Sequence, residues 1–285
     1  MASRGLVLGA VGVLAFSMSL PATRMAVAGF DPVFVGAARA AVAGVLAAAV
    51  LLVERAGWPR REELGRLALV AFGVVVGWPL LTSVAMARAG AIHGAVLTGL
   101  LPAATAVAGV VLARERPSGG FWLAALAGLG CVLVFAAVQG AGAPGPADGL
   151  LLLAVVASAV GYAAGGVLAR TMGGMRVIGW ALVLSLPLTA PLMLWSWRWA
   201  EVRDAPWSAW AGLGYVTVIS QYVGFFAWYR GLALGGVARV GQLQLAQPVL
   251  SMVWAALLLG EAVTLEAAVA AAAVLACVVM TQRAR

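Results

Sequence analysis

The chain alternates long apolar runs with short breaks that are charged or rich in Gly and Pro. A helix that crosses a bilayer needs about 20 apolar residues, and each run reaches or approaches that length. The clearest breaks are VERAGWPRREELGR, RERPSGG, QGAGAPGPADG and RWAEVRDAPW. The pattern predicts ten membrane spans. Their approximate bounds are 5–24, 32–53, 66–87, 91–113, 119–138, 149–169, 177–197, 207–229, 236–259 and 263–281.

Composition places this chain in a membrane. Of its 285 residues, 64% are hydrophobic and only 10% are charged, whereas a soluble domain carries roughly 25% charged residues. All the cations are arginines, and they are scattered over short loops without forming a basic stripe. We therefore expect a multi-pass protein that has the lipid bilayer, and no nucleic acid, as its partner.

The arginines also predict the orientation of the chain. With the N-terminus in the cytoplasm, thirteen of the 18 arginines fall in cytoplasmic segments, four are external, and Arg39 lies within a span. Cytoplasmic loops of membrane proteins are enriched in basic residues. Both termini are therefore predicted to be cytoplasmic.

An internal repeat relates the two halves of the chain. A shift of 146 residues, without a gap, aligns pairs of scarce residue types. Each half holds five predicted spans, an odd number, so the second must be inverted in the membrane. We predict an all-α integral membrane protein of ten transmembrane helices, with a first repeat at 1–140, a linker at 141–147 and a second repeat at 148–285. The aligned pairs are Arg24 with Arg170, Gly90 with Gly236, Pro102 with Pro248, Glu115 with Glu261, and Cys131 with Cys277.

Two long motifs resemble the EamA family of the drug/metabolite transporter superfamily. They are AMARAGAIHGAVLTGLLPAATAVAGVVLARE (85–115) and YRGLALGGVARVGQLQLAQPVLSMVWAALLLGE (229–261). The resemblance implies a ten-span inverted-repeat fold that exports small metabolites such as amino acids. The first motif departs from the usual small residue before its final Glu, because Arg114 precedes Glu115. Family members differ in substrate, so the resemblance names none.

Polar residues flank the proline of spans 4 and 9 at equivalent places. Spacings of three, four and seven residues put each set on one helical face. The proline frees a carbonyl one turn earlier, which is tolerated at membrane depth where it lines a wet cavity or finds a polar neighbour. We expect these faces to line the substrate cavity; the alternative is that their polar groups only join helix to helix. The residues are Thr98, Pro102 and Thr105 in span 4, and Gln244, Gln247, Pro248 and Ser251 in span 9.

Other candidates carry two interpretations each. Arg39 is positioned either to bind a substrate carboxylate or to pair with a freed carbonyl or a helix end. His93, the one histidine, is a protonation switch or an interfacial side chain, and the second is favoured. Aromatic walls with polar anchors suit amphipathic solutes, although aromatic residues also form interfacial belts. The residues in question are Trp78 beside Pro79 in span 3, Gln221 and Trp228 in span 8, and Tyr162 in span 6 as a weaker candidate.

What the sequence lacks narrows the function. One histidine and two separated cysteines supply no metal cluster, and we expect no cofactor. No Asp or Glu lies at the centre of a span, which argues against a carboxylate proton relay. Glu115 and Glu261 are expected to mark helix ends on opposite membrane sides, and Asp148 to cap a helix. Gly-xxx-Gly steps do not define a dimer interface, so a monomer is the expected state.

With the resemblance, the expected function is export of amino acids, including aromatic or other amphipathic ones, by alternating access through a cavity between the repeats. The expected location is the bacterial inner (plasma) membrane, and the expected partners are the lipid bilayer and this small-molecule substrate. Nucleotide sugars and other organic metabolites are the alternative substrates. An intramembrane enzyme is a distant alternative, because the clustered ligands and the nucleophile motifs that such enzymes need are missing.

Overall fold

The computed structural model describes residues 2–138 and 145–260, with a few further positions between 262 and 276. Every regular element within these residues is a helix, which confirms the all-α membrane fold. The ten-span count stays a prediction, and most of its last span, 263–281, lies outside the described residues. Six helical stretches are long and apolar enough to cross a bilayer: Ser3–Val27, Pro32–Val53, Arg61–Met86, Pro146–Met172, Gly174–Trp195 and Val237–Leu259.

Capping residues and prolines set where helices of the first half begin. For example, the Asp31 carboxylate accepts hydrogen bonds from the Val33 and Phe34 amides, at 2.8 and 3.1 Å, and caps the helix that Pro32 begins. The helices are α1 Ala2–Ser17, α2 Ser19–Val27, α3 Pro32–Val53, α4 Arg61–Val70, α5 Trp78–Met86, α6 Ala91–Thr98, α7 Leu101–Ala113 and α8 Gly119–Val138.

The second half begins after Gly145. Asp148 lies in the first turn of its first helix, and its carboxylate accepts from the Gly145 amide at 2.8 Å. The expectation that Asp148 is the cap residue itself was therefore wrong by three positions, because Pro146 already occupies the first turn. The helices are α9 Pro146–Met172, α10 Gly174–Trp195, α11 Trp199–Asp204, α12 Trp207–Tyr215, α13 Gly224–Gly235, α14 Val237–Gly241 and α15 Ala246–Leu259.

Several long helices are interrupted near their middles. Residues 71–77 and 216–223 form wider π-helical turns that join α4 to α5 and α12 to α13. A shift of 146 residues carries the first onto 217–223, so the two halves share this feature. A short 3₁₀ turn, Gln242–Leu245, joins α14 to α15 one turn before Pro248, and α6 gives way to α7 just before Pro102. The sequence did not predict the break between α1 and α2, which precedes Pro21.

The two halves pack closely against each other. Helix α1 lies along α13, and α3 lies along α10, so each pair joins the first half to the second. Glycine makes some of these approaches possible: a Cβ on Gly73 would lie 2.2 Å from the Ala157 carbonyl oxygen, and one on Gly165 would lie 2.2 Å from the ring of Tyr229. The Gly-xxx-Gly steps thus serve packing within this chain.

Candidate functional site

A narrow cavity, with room for about one water molecule in this conformation, lies where the interrupted helices of the two halves meet. The first half contributes residues from α1, α2, α3, α5 and the first π turn. The second half contributes residues from α9, α13, α15 and the second π turn. The lining residues are Phe16, Ser19, Arg39, Val74, Trp78, Tyr162, Ser220, Gln221, Phe225 and Gln247.

Arg39 supplies the charge of the cavity. Its side chain, on α3, is 1% exposed, and its Nη2 donates to the Ser220 hydroxyl at 3.2 Å. That hydroxyl also shares a hydrogen bond with Ser19. Among the described residues, Nε and Nη1 of Arg39 have no hydrogen-bond partner. Unpaired donors on a buried charge are costly, so the guanidinium is left with unmet hydrogen-bonding capacity in this cavity.

Gln221 is fixed by a carbonyl that a proline leaves free. Its Nε2 donates to the Val74 carbonyl at 3.0 Å. In the π register this carbonyl would pair with residue 79, and Pro79 has no N–H to donate. Because a carbonyl only accepts, the amide orientation of Gln221 is settled, and its Oε1 is left without a partner within the described chain.

Gln247 adds a second unpaired acceptor. It follows the 3₁₀ turn, is 5% exposed and lines the same cavity. Its Oε1 has no partner among the described residues. The cavity therefore combines unpaired donors on Arg39 with unpaired acceptors on two glutamines.

Aromatic rings form the remaining wall. Phe16 and Phe225 lie 4.8 Å apart between ring centroids, and Tyr162 lies 6.0 Å from Phe225. Trp78 also lines the cavity. Trp228 is fully buried behind this wall, with its ring against Phe16 and Tyr162.

Spans 4 and 9 are hydrogen-bonded across their interruptions. Thr105 Oγ1 donates to Gln244 Oε1 at 3.4 Å, and Gln242 Nε2 donates to the Pro102 carbonyl at 3.2 Å. Thr105, Gln244 and Pro248 are buried here and are not part of the cavity lining. The structure therefore places this pair of spans face to face, with Gln247 reaching the cavity.

Two candidate hydroxyls are engaged elsewhere. Thr98 donates to the Ala95 carbonyl at 3.0 Å within its own helix. Ser251 donates to the Ser17 carbonyl, which Pro21 leaves without an intrahelical partner. Ser251 therefore joins one helix to another, whereas the Thr98 hydroxyl bonds within its own helix, and neither residue lines the cavity.

His93 also lies apart from the cavity. Its Nε2 is 2.6 Å from an Asp148 carboxylate oxygen, and the pair joins the start of α6 to the start of α9. The side chains are 35% and 19% exposed. The pair lies at two helix ends and outside the cavity lining, and the interfacial position favoured for His93 stays a prediction.

Sequence reasoning missed five lining residues: Phe16, Ser19, Val74, Ser220 and Phe225. Ser19 enters because the chain breaks between α1 and α2, and Ser220 because the π turn rotates it inward. Pro21, an intramembrane proline like Pro102, is the signal that was available for the first of these. Among the residues that the structure describes, no group of three His, Cys, Asp or Glu could hold a metal ion.

Interrupted helices around a cavity between two repeats are the arrangement of secondary membrane transporters. The model of the EamA-like transporter family matches residues 3–137 and again 145–282, and the chain belongs to this family. It is 45% identical, over 99% of its length and 98% of the relative's, to "Uncharacterized transporter YdeK" of Bacillus subtilis (strain 168). It also superposes on a solved crystal structure with a TM-score of 0.73 over 99% of each chain, at 19% identity, a likeness of fold alone.

Proposed function

We propose that this membrane transporter exports amino acids and similar amphipathic metabolites by alternating access through the cavity around Arg39. The observation that carries the proposal is the set of unpaired hydrogen-bonding groups in the cavity. Arg39 offers unpaired donors, while Gln221 and Gln247 offer unpaired acceptors, and the described lining contains no carboxylate.

An amino acid matches this set at each of its parts. Its carboxylate accepts from the guanidinium. Its ammonium group donates to the amide oxygens and faces the aromatic rings, which attract cations. An apolar or aromatic side chain packs against the wall that Phe16, Phe225 and Trp78 form.

Nucleotide sugars fit less well. Their diphosphate carries at least two negative charges, and burying these requires several cationic partners. Arg39 is the one cation among the described lining residues. This favours a substrate with a single carboxylate.

The proposed setting is the inner membrane, with ten spans and cytoplasmic termini. The arginine distribution supports this orientation, and the double match of the family model supports two five-span repeats. A monomer suffices, because the cavity described is formed within one chain. Membership in a transporter family argues against an enzyme.

Uptake by proteoliposomes tests the proposal. Labelled threonine, methionine and phenylalanine are offered to wild type, and unlabelled 3-phenylpropionate and phenethylamine compete with phenylalanine. We expect saturable amino-acid uptake. Each competitor lacks one of the two charged groups of phenylalanine and should compete at least about tenfold more weakly than unlabelled phenylalanine, the factor that one lost charged hydrogen bond gives.

Two variants test whether Gln247 contacts the ammonium group of the substrate. Gln247→Leu should raise the KM for phenylalanine and leave competition by 3-phenylpropionate unchanged, because that competitor has no ammonium group. Thr189→Val, which removes a buried hydroxyl that bonds within its own helix and lies outside the cavity lining, is the control for folding and should affect KM less. If a folded preparation moves no amino acid, the proposed substrate class is wrong and nucleotide sugars are tested next.

A further inference from the structure

A seam between α7 and the start of span 9 separates the cavity from one face of the protein. Gln247 lines the cavity at one end of this seam, and Glu115 lies at the other. Between them, the hydrogen bonds from Thr105 to Gln244 and from Gln242 to Pro102 cross the seam. Separation of the two helices would break these bonds and open a path from Gln247 toward this face.

Glycines bring the two sides of the seam together. A Cβ on Gly109 of α7 would lie 3.3 Å from Val237 and 3.4 Å from the Ala238 nitrogen. A Cβ on Gly241 would lie 2.9 Å from the Thr105 methyl group. The backbones approach closely enough for the seam to exclude a solute when it is shut.

Glu115 fastens the outer end of the seam. Its Oε1 accepts from the Val237 amide and its Oε2 from the Ala238 amide, both at 2.7 Å. Arg170, at the end of α9, lies 3.5 Å from the same carboxylate. One side chain of the first half thus holds two helix ends of the second half.

The start of α14 depends on this carboxylate. The residue before it, Gly236, has φ of +89° and no side chain with which to cap the helix. A helix start is ordinarily capped by its own neighbour in sequence, whereas Glu115 lies 122 residues from Val237. A bond to a remote half of the protein can break without unfolding either helix.

We propose that Glu115 is the latch of a gate: it holds the α7–α14 seam shut on this face and releases when the cavity opens there. The face also carries the segment after α3, because Trp58 packs its ring against Trp180 near the start of α10. The arginine distribution assigns this face to the cytoplasm. Its sequence equivalent in the second repeat, Glu261, lies outside the described residues.

Cysteine accessibility tests the latch without any substrate. Val74→Cys places a thiol in the cavity, where Val74 is 2% exposed, in a chain whose Cys131 and Cys277 are changed to Ala. A membrane-impermeant methanethiosulfonate is applied from either face of oriented vesicles. We expect Glu115→Gln to raise the labelling rate from the arginine-rich face by about tenfold, the factor that corresponds to about 1.4 kcal/mol, and to lower it from the other face.

Matched variants make the result specific. Glu62→Gln removes an exposed carboxylate on the same face, whose 3.6 Å ion pair with Arg60 is solvated, and should label like wild type. Arg170→Gln should give a smaller rise, because the two amide bonds remain; it also serves as the test if Glu115→Gln does not fold. Rates equal to wild type from both faces, in folded Glu115→Gln or Arg170→Gln protein, would overturn the latch.

The inference rests on alternating access in the proposed function, but its failure is distinguishable from failure of that function. Labelling reports the gate whether or not amino acids are transported. A latch variant that labels faster in protein that moves no amino acid supports the gate and refutes the substrate. Uptake of amino acids with no effect of Glu115 on labelling refutes the gate alone.

Discussion

Replacing Arg39 with Met is expected to stabilise the protein while it abolishes transport. The guanidinium is buried, with one hydrogen bond to Ser220 and two nitrogens that have no partner among the described residues. Methionine is similar in length and carries no charge. A side chain kept for folding would behave in the opposite way, so the variant separates the two roles.

The magnitude follows from what the substitution removes. Each buried unpaired donor costs about 1–3 kcal/mol, and a hydrogen bond from a charged group contributes about 1.5–3 kcal/mol. The middle of these ranges gives a net gain of about 2 kcal/mol when two unpaired donors and one such bond are removed, in line with the gain of about 1–4 kcal/mol when buried ion pairs are replaced by apolar residues. For a chain of this size we expect the melting temperature to rise by roughly 2–4 °C per kcal/mol.

The assay is thermal unfolding in detergent, with and without phenylalanine, beside proteoliposome uptake. Ligand at about 100 times its Kd should stabilise wild type by about 2.7 kcal/mol, and Arg39→Met should lose this increment as well as uptake. Arg39→Lys is the control that keeps a charge but loses the planar fork. A lower melting temperature for Arg39→Met, with uptake retained, would refute the reasoning and make Arg39 a structural residue.

Three further predictions concern residues outside the cavity. Gly165→Ala should lower the free energy of unfolding by about 1–3 kcal/mol, because the new methyl group meets a buried tyrosine ring. Gly57→Ala should leave it unchanged, because nothing lies within 4 Å of the added methyl group; thermal unfolding compares the two variants. Ser251→Ala should lower the free energy of unfolding by about 1 kcal/mol, the value of one hydrogen bond, and leave the KM of uptake unchanged. A raised KM would instead indicate that Ser251 contacts the substrate. His93→Gln should retain uptake, because its pair with Asp148 lies at helix ends; loss of uptake would instead support a protonation switch.

Much of the architecture was predictable from the sequence because membrane helices are read from long apolar runs. Proline and glutamine inside such runs pointed correctly to helix interruptions, and Pro102 and Pro248 stand one turn after real breaks. Of the polar residues predicted around these prolines to line the cavity, only Gln247 does so in the structure. Helical periodicity assumes an unbroken helix, and a 3₁₀ or π turn rotates the following residues onto a different face.

The hydrogen-bond partner of each polar group could not be predicted from the sequence alone. Ser251 and Gln247 are separated by one helical turn, yet one bonds a carbonyl of α1 and the other has an unpaired oxygen in the cavity. The difference depends on Pro21, more than 220 residues away, which frees the carbonyl that Ser251 meets. Only the packing of α1 against α15 shows which polar group finds a partner.

The shared π turns bear on the history of the chain. A widened turn at the same place in both halves is inherited most simply from a single ancestral unit, before that unit was duplicated. Since then the residues that fill it have diverged: Val74 and Val75 stand where the other copy has Ser220 and Gln221. At this turn the two backbones share one shape while only the second copy carries polar side chains, so a solute bound beside the turns meets two unlike walls.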